Sequence, residues 1–99
     1  MKINKDLKDG NLVISIIGEI NSLSAPQLEE VIKNNLNGVK SLVFDFKEVE
    51  YLSSAGLRVL LVAQKVMAKQ GQMSLRNVNK SVMEVFEITG FSNILEIEA

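Results

Sequence analysis

Two short apolar runs, Leu12-Val-Ile-Ser-Ile-Ile17 and Leu42-Val-Phe-Asp-Phe46, constrain this chain more than any other feature. Both are rich in β-branched or aromatic residues, which suit a pleated, half-buried surface. Between them, Leu28, Val31, Ile32 and Leu36 recur every three to four residues, the period of a helix. Strand, helix and strand in that order make a βαβ unit, so the chain is directed to an α/β fold with parallel strands.

The remaining elements extend that unit in both directions. Ile3 to Leu7 is expected to pair with the first run through a turn at Lys8-Asp9-Gly10-Asn11, because glycine accepts positive φ without a Cβ clash. Gly18 to Leu23 leads into the first helix, which Ser24 is placed to cap, with Gln27 completing a capping box and Pro26 in the first turn. Asn37-Gly38 stops it. Ser41 to Phe46 is apolar enough to be a central strand covered on both faces. Lys47 to Leu52 connects it to the longest helix, roughly Ala55 to Gln70. That helix buries Leu57, Leu60, Leu61 and Met67, with Val59, Val62 and Val66 widening the stripe, and Gly71 ends it. Met73 to Val78 is the next strand, alternating on Met73 and Leu75. Asn79 caps a third helix whose Val82, Val85, Phe86 and Thr89 face inward and which ends at Gly90. Asn93 to Glu98 is a short final strand. The expected order is β-β-α-β-α-β-α-β: one domain over residues 1–99, with a mixed sheet made of a hairpin plus βαβαβ units and helices packed against it.

What the chain lacks narrows its chemistry. With no Cys and no His among 99 residues, it has no disulfide, no thiolate or imidazole metal ligand, and no Ser-His-Asp triad. Its 11 basic and 12 acidic residues nearly balance, which argues against a general nucleic-acid binder. The polar start, Met1-Lys-Ile-Asn-Lys-Asp6, does not read as a signal peptide, and Leu57 to Ala63 is too short and too interrupted to cross a bilayer. A cytoplasmic, non-enzymatic protein with no cofactor is expected. Asp45, inside an apolar strand, reads as a polar group bonded to a nearby backbone N–H, and Met67, Met73 and Met83 as core filler. The six glycines are scattered singly and form no phosphate loop.

In a sheet of this kind, the loops at the C-terminal ends of parallel strands form the functional edge. Two segments qualify, Gly18 to Ser24 and Glu48 to Gly56, and both carry hydroxyls. Ser53-Ser54-Ala55-Gly56-Leu57 has two readings. In one, a serine caps the helix and Gly56 permits a tight helix–sheet contact. In the other, a serine accepts a phosphate, which free N–H groups and the positive end of the helix dipole tolerate.

Taken together, Gly18-Glu-Ile-Asn21 followed by Ala25-Pro26, Leu42-Val-Phe-Asp-Phe46, Tyr51-Leu-Ser-Ser-Ala-Gly-Leu57, Gly71-Gln-Met-Ser-Leu75 and the Phe86…Gly90-Phe91 ending resemble the STAS family, particularly its stand-alone bacterial anti-sigma factor antagonists. The resemblance implies that Ser54 is the phosphoacceptor of a partner kinase. It implies a partner surface of Asn21, Ser22, Ser53, Ser54, Gly56, Leu57 and Arg58, with Leu57 or Arg58 as anchors. The implied partners are an anti-sigma factor of the Ser/Thr kinase type and a protein phosphatase, without nucleic acid or membrane insertion. The alternative is a constitutive STAS subunit of a transport or signalling complex that is not phosphorylated. Two positions depart from the family's usual acids: Ser53 before the acceptor, and Asn21 after Gly-Glu-Ile.

Overall fold

The computed structural model describes residues 1–99. Its elements are β1 (Lys2–Lys8), β2 (Asn11–Ile20), α1 (Ala25–Asn35), β3 (Ser41–Leu52), α2 (Ser54–Met67), β4 (Gln72–Arg76), α3 (Lys80–Thr89), a 3-10 turn (Phe91–Asn93) and β5 (Glu96–Ile97). The five strands lie side by side in chain order, β1-β2-β3-β4-β5. β1 and β2 are antiparallel and joined by a two-residue turn in which Asp9 and Gly10 both have positive φ; every later pairing is parallel. The expected fold class, a single α/β domain with a mixed sheet, is what forms.

Sequential order has a consequence for the layers. Each crossover from β2 onward steps the same way across the sheet, and right-handed crossovers that step the same way place their helices on the same face. Burial follows this arrangement. Leu12, Ile14 and Ile16 of β2, Leu42, Phe44 and Phe46 of β3, and Met73 and Leu75 of β4 are buried on one face. They join Leu28 and Ile32 of α1, Leu57, Leu60, Ala63 and Met67 of α2, and Val82 and Phe86 of α3 in a single core. Phe46 links two rings, with Phe44 edge-on and Phe86 tilted, each at 6.5 Å between centroids. The other face, with Val13, Ser15, Ile17, Val43, Asp45 and Ser74, is only half-buried. The expectation that β3 is covered on both faces is therefore corrected: the run is dense because Val43 and Asp45 fill a face that no helix covers.

Other corrections concern where elements stop. β2 and β3 run on to Ile20 and Leu52, so Gly18–Ile20 and Lys47–Leu52 are ladder, not loop. Register shifts at Ser15/Ile17 and Gly18/Glu19 carry the pairing through, and Gly18 takes a φ of +108° there. These bulges break the period-2 pattern and hide the strands among charged residues. α2 ends at Met67, three residues short of Gln70. Gly71 serves a different purpose: a Cβ there would overlap the Lys40 carbonyl. On α2, Val62 and Val66 are exposed and Leu61 is half-buried, because Ala63 rather than Val62 meets the sheet. β4 stops at Arg76, where Asn77 turns left-handed at φ +59°. Thr89 is exposed rather than inward and returns its hydroxyl to the Val85 carbonyl at 2.7 Å. The final strand is two residues long and follows the 3-10 turn.

Because the obstacle at Gly71 is backbone and cannot move aside, Gly71→Ala is expected to destabilise the domain by about 2 kcal/mol. Urea unfolding should show a lower midpoint at an unchanged slope.

Candidate functional site

The β2–β3 ladder ends at the pair Ile20 and Leu52. One residue later the Ser53 N–H donates to the Ile20 carbonyl at 2.8 Å, and α2 begins immediately. The connection from strand to helix is this single residue. Ser53 is extended, at φ −90° and ψ 173°, and its hydroxyl accepts from the Gly56 N–H at 3.3 Å while its carbonyl accepts the first helical bond from Leu57. Ser53 is thus the N-cap. Ser54 takes the first helical position, where its side chain is exposed and its hydroxyl bonds to no protein group. The two readings of the motif divide between adjacent serines: Ser53 meets the structural demand, and Ser54 is left unengaged. No acidic residue lies in the first turn of α2, so nothing there offsets the positive end of its dipole.

Gly56 and Leu57 stand apart from the other residues expected to line a partner surface. Both are buried. A Cβ on Gly56 would come within 2.7 Å of Ile20 Cγ2 and 2.6 Å of Leu52 Cδ1, so the glycine lets α2 sit directly on the ends of β2 and β3. Leu57, at 5% exposure, is core. The expectation that either meets a partner is corrected: they seat the helix that displays Ser54.

The neighbouring loop is equally short and is organised by Asn21. Its side-chain oxygen accepts from the Leu23 and Ser24 N–H groups at 2.9 and 3.0 Å, and its carbonyl accepts from Ala25 at 2.8 Å. Ser24 answers by accepting from the Asn21 N–H at 2.9 Å and donating to the Glu19 carbonyl at 2.9 Å. A reciprocal box does form, but between Asn21 and Ser24 rather than between Ser24 and Gln27; Ser24 makes no side-chain cap bond to α1. The extra turn lifts Ser22 and Leu23 to the tip of the loop. Leu23 is 90% exposed, held in place by its own N–H bond to Asn21.

Asn21, Ser22, Ser53, Ser54 and Arg58 accordingly share one edge of the sheet, with Ser22, Ser54 and Arg58 exposed. Arg58 is one helical turn beyond Ser54 and lines a cleft of about 410 Å³ between α1 and α2 with Ser22, Pro26, Glu29, Ala55 and Val62. Leu23 and Val62 extend this edge as apolar surface. Neither belongs to a motif; the one sequence signal for Leu23 is an apolar residue set between the capping residues of a turn. No group of three metal-ligating side chains converges in the fold.

Asp45 lies on the open face of β3, apart from this edge. Its carboxylate accepts from the Lys47 N–H and the Asn77 amide, both at 3.0 Å, and pairs with Arg76 at 3.5 Å. Burial pushes its pKa up, but the Asn77 and Lys47 hydrogen bonds and the Arg76 charge outweigh it and leave the carboxyl below its ordinary value.

The chain was compared with known proteins. A family model, the STAS domain, matches residues 2–99. BtrV of Bordetella bronchiseptica, a candidate anti-sigma factor antagonist by its name, is 40% identical over 99 residues, covering 98% of this chain and 85% of that protein. The anti-sigma-B factor antagonist of Bacillus subtilis is 34% identical over 102 residues, covering 100% of this chain and 94% of its own. Among solved structures, an anti-sigma factor antagonist from Mycobacterium paratuberculosis superposes with a TM-score of 0.89 at 26% identity, covering 98% of this chain and 84% of that one.

Two measurements check the site as built. Ser53→Ala should cost about 1 kcal/mol in thermal or urea unfolding, whereas Ser54→Ala should stay within about 0.5 kcal/mol of the parent. A depressed carboxyl stabilises the fold above its unfolded pKa, about 3.9, and loses that contribution as pH falls through the folded value. The stability gap between the parent and Asp45→Asn should thus be constant near neutrality and close progressively below about pH 4.

Proposed function

The chain belongs to the STAS domain family, and on that footing we propose that it is an anti-sigma factor antagonist controlled by phosphorylation of Ser54. The observation that carries the proposal is the division between neighbouring serines. Ser53 caps α2, so the Ser54 hydroxyl is exposed and free of any structural bond. Its relatives named as anti-sigma factor antagonists span nearly the whole chain.

In the unmodified state the edge formed by Asn21, Ser22, Leu23, Ser54 and Arg58 docks on an anti-sigma factor of the Ser/Thr kinase type, and the sigma factor held by that protein is released. ATP is bound by the kinase. Its γ-phosphoryl group passes to the Ser54 oxygen as the bond to ADP breaks and the hydroxyl proton leaves. The product carries about −1.5 to −2 charges at neutral pH. It sits over the open N–H groups of α2, within a turn of Arg58, so the fold accommodates it while the docking surface becomes bulky and negative. A protein phosphatase removes the group and restores binding. Ser53 supports the same geometry as the aspartate usual in the family, since either residue type caps a helix well.

The test is to incubate the purified domain with ATP and the anti-sigma kinases of its own organism, and to locate phosphate by mass spectrometry. One phosphoryl group on Ser54 is expected, and none in Ser54→Ala. Binding of Ser54→Asp to the kinase should weaken by roughly tenfold or more, as expected for a charge placed in a docking surface. Unmodified serines together with kinase binding indifferent to Ser54→Asp would sink the proposal and favour a constitutive subunit.

A further inference from the structure

The end of the sheet opposite Ser54 is made of three turns that hydrogen-bond to one another. Lys40 and Ser41 donate to the Gly10 carbonyl at 2.8 and 3.2 Å, and Gln72 donates to the Lys40 carbonyl at 3.0 Å. The Gln70 amide reaches the Val39 carbonyl at 2.7 Å and the Leu36 carbonyl beside it. The β1–β2 hairpin, the entry to β3 and the exit from α2 therefore form one fixed platform.

Three lysines are exposed on it, Lys8, Lys40 and Lys69, and Lys65 is exposed beside it in the last turn of α2. Asp9 is the single carboxylate on these three turns, and Asp6 is exposed two residues before Lys8 on the same face of β1. The two ion pairs in the molecule, Lys33 with Glu29 and Arg76 with Asp45, involve none of the four. Lys65 complements the dipole of the last turn of α2. That reason does not extend to Lys8 and Lys40 at strand ends, nor to Lys69, two residues past the end of α2. Positive charge is thus concentrated on a rigid surface in a chain whose net charge is −1.

We propose that this lysine platform is a second docking surface, for an acidic segment of a partner protein, used independently of the Ser54 edge. Complementary charge on a preorganised surface steers and orients a partner at modest affinity. A protein segment fits better than nucleic acid: no aromatic side chain stands on the three turns to stack a base, and the patch is confined to one end of an acidic chain. The platform lies at the far end of β2 and β3 from Ser54, so both surfaces are open to separate partners at once. This inference does not rest on the phosphorylation reading.

An NMR titration of the ¹⁵N-labelled domain with an octaglutamate peptide tests it. Saturable amide shifts are expected at residues 8–11, 38–41 and 65–72, with affinity falling as salt rises. The Lys40→Glu/Lys69→Glu variant should bind the peptide roughly tenfold more weakly or worse, and Ser54→Asp should bind it as the parent does. The substituted lysines are exposed, and a Lys8→Gln/Lys65→Gln variant offers the same comparison should the first lose its native spectrum. Absence of saturable shifts, shifts centred on Arg58 or Arg76, undiminished binding by the lysine variants, or tighter binding of duplex RNA or phosphatidylglycerol vesicles at the same amides would each overturn the proposal.

Discussion

Everything functional in this molecule depends on strands that are laid down in chain order. When each right-handed crossover steps to the next position, the helices accumulate on one face and the helix starts accumulate on one edge. α1 and α2 consequently begin side by side, directly above the paired ends of β2 and β3 at Ile20 and Leu52. The core needs only one face of the sheet, and its 25 buried hydrophobic residues form a single cluster. The site is a by-product of that economy: two helix starts, two caps and two free hydroxyls brought together by topology alone.

The chemistry at the edge is a matter of dividing roles between neighbours. Asn21 and Ser53 hold backbone N–H groups in place, and each is followed by a serine with no structural duty. At a helix start, a cap residue loses its availability to a partner because its oxygen is already bonded. Placing the free hydroxyl one residue later avoids that conflict and still keeps it inside the favourable field of the helix end. Gly56 completes the arrangement from below by letting α2 rest on Ile20 and Leu52. Ser54 is therefore displayed from a support that is buried and closely packed.

Much of this was legible in the residues. The β-branched runs at Leu12–Ile17 and Leu42–Phe46, the helix-period apolar positions of α1, and the caps at Asn79 and Ser53/Ser54 all point to the elements that form. What escaped was whatever depends on long-range geometry. The bulges in β3 shift alternation out of phase, so Lys47–Leu52 looks like a charged connector although Val49 and Leu52 are buried. Apolar residues on α2 read as one broad stripe, yet only contact with the sheet decides that Ala63 is inside and Val62 outside. The Ser24–Gln27 box has the right letters, but Asn21 captures Ser24 first, because a turn closing on Glu19 offers that hydroxyl two partners at once. Leu23 could not be placed at all without the turn that lifts it.

The single-residue link between β3 and α2 sets the phase of the helix as well as its position. Each residue turns an α-helix by about 100°, so one residue added or lost at Ser53 would rotate the whole of α2 against the sheet. Gly56 would leave its seat, a bulkier residue would meet Ile20, and Ser54 would swing off the shared edge. This junction can change its side chains but not its length.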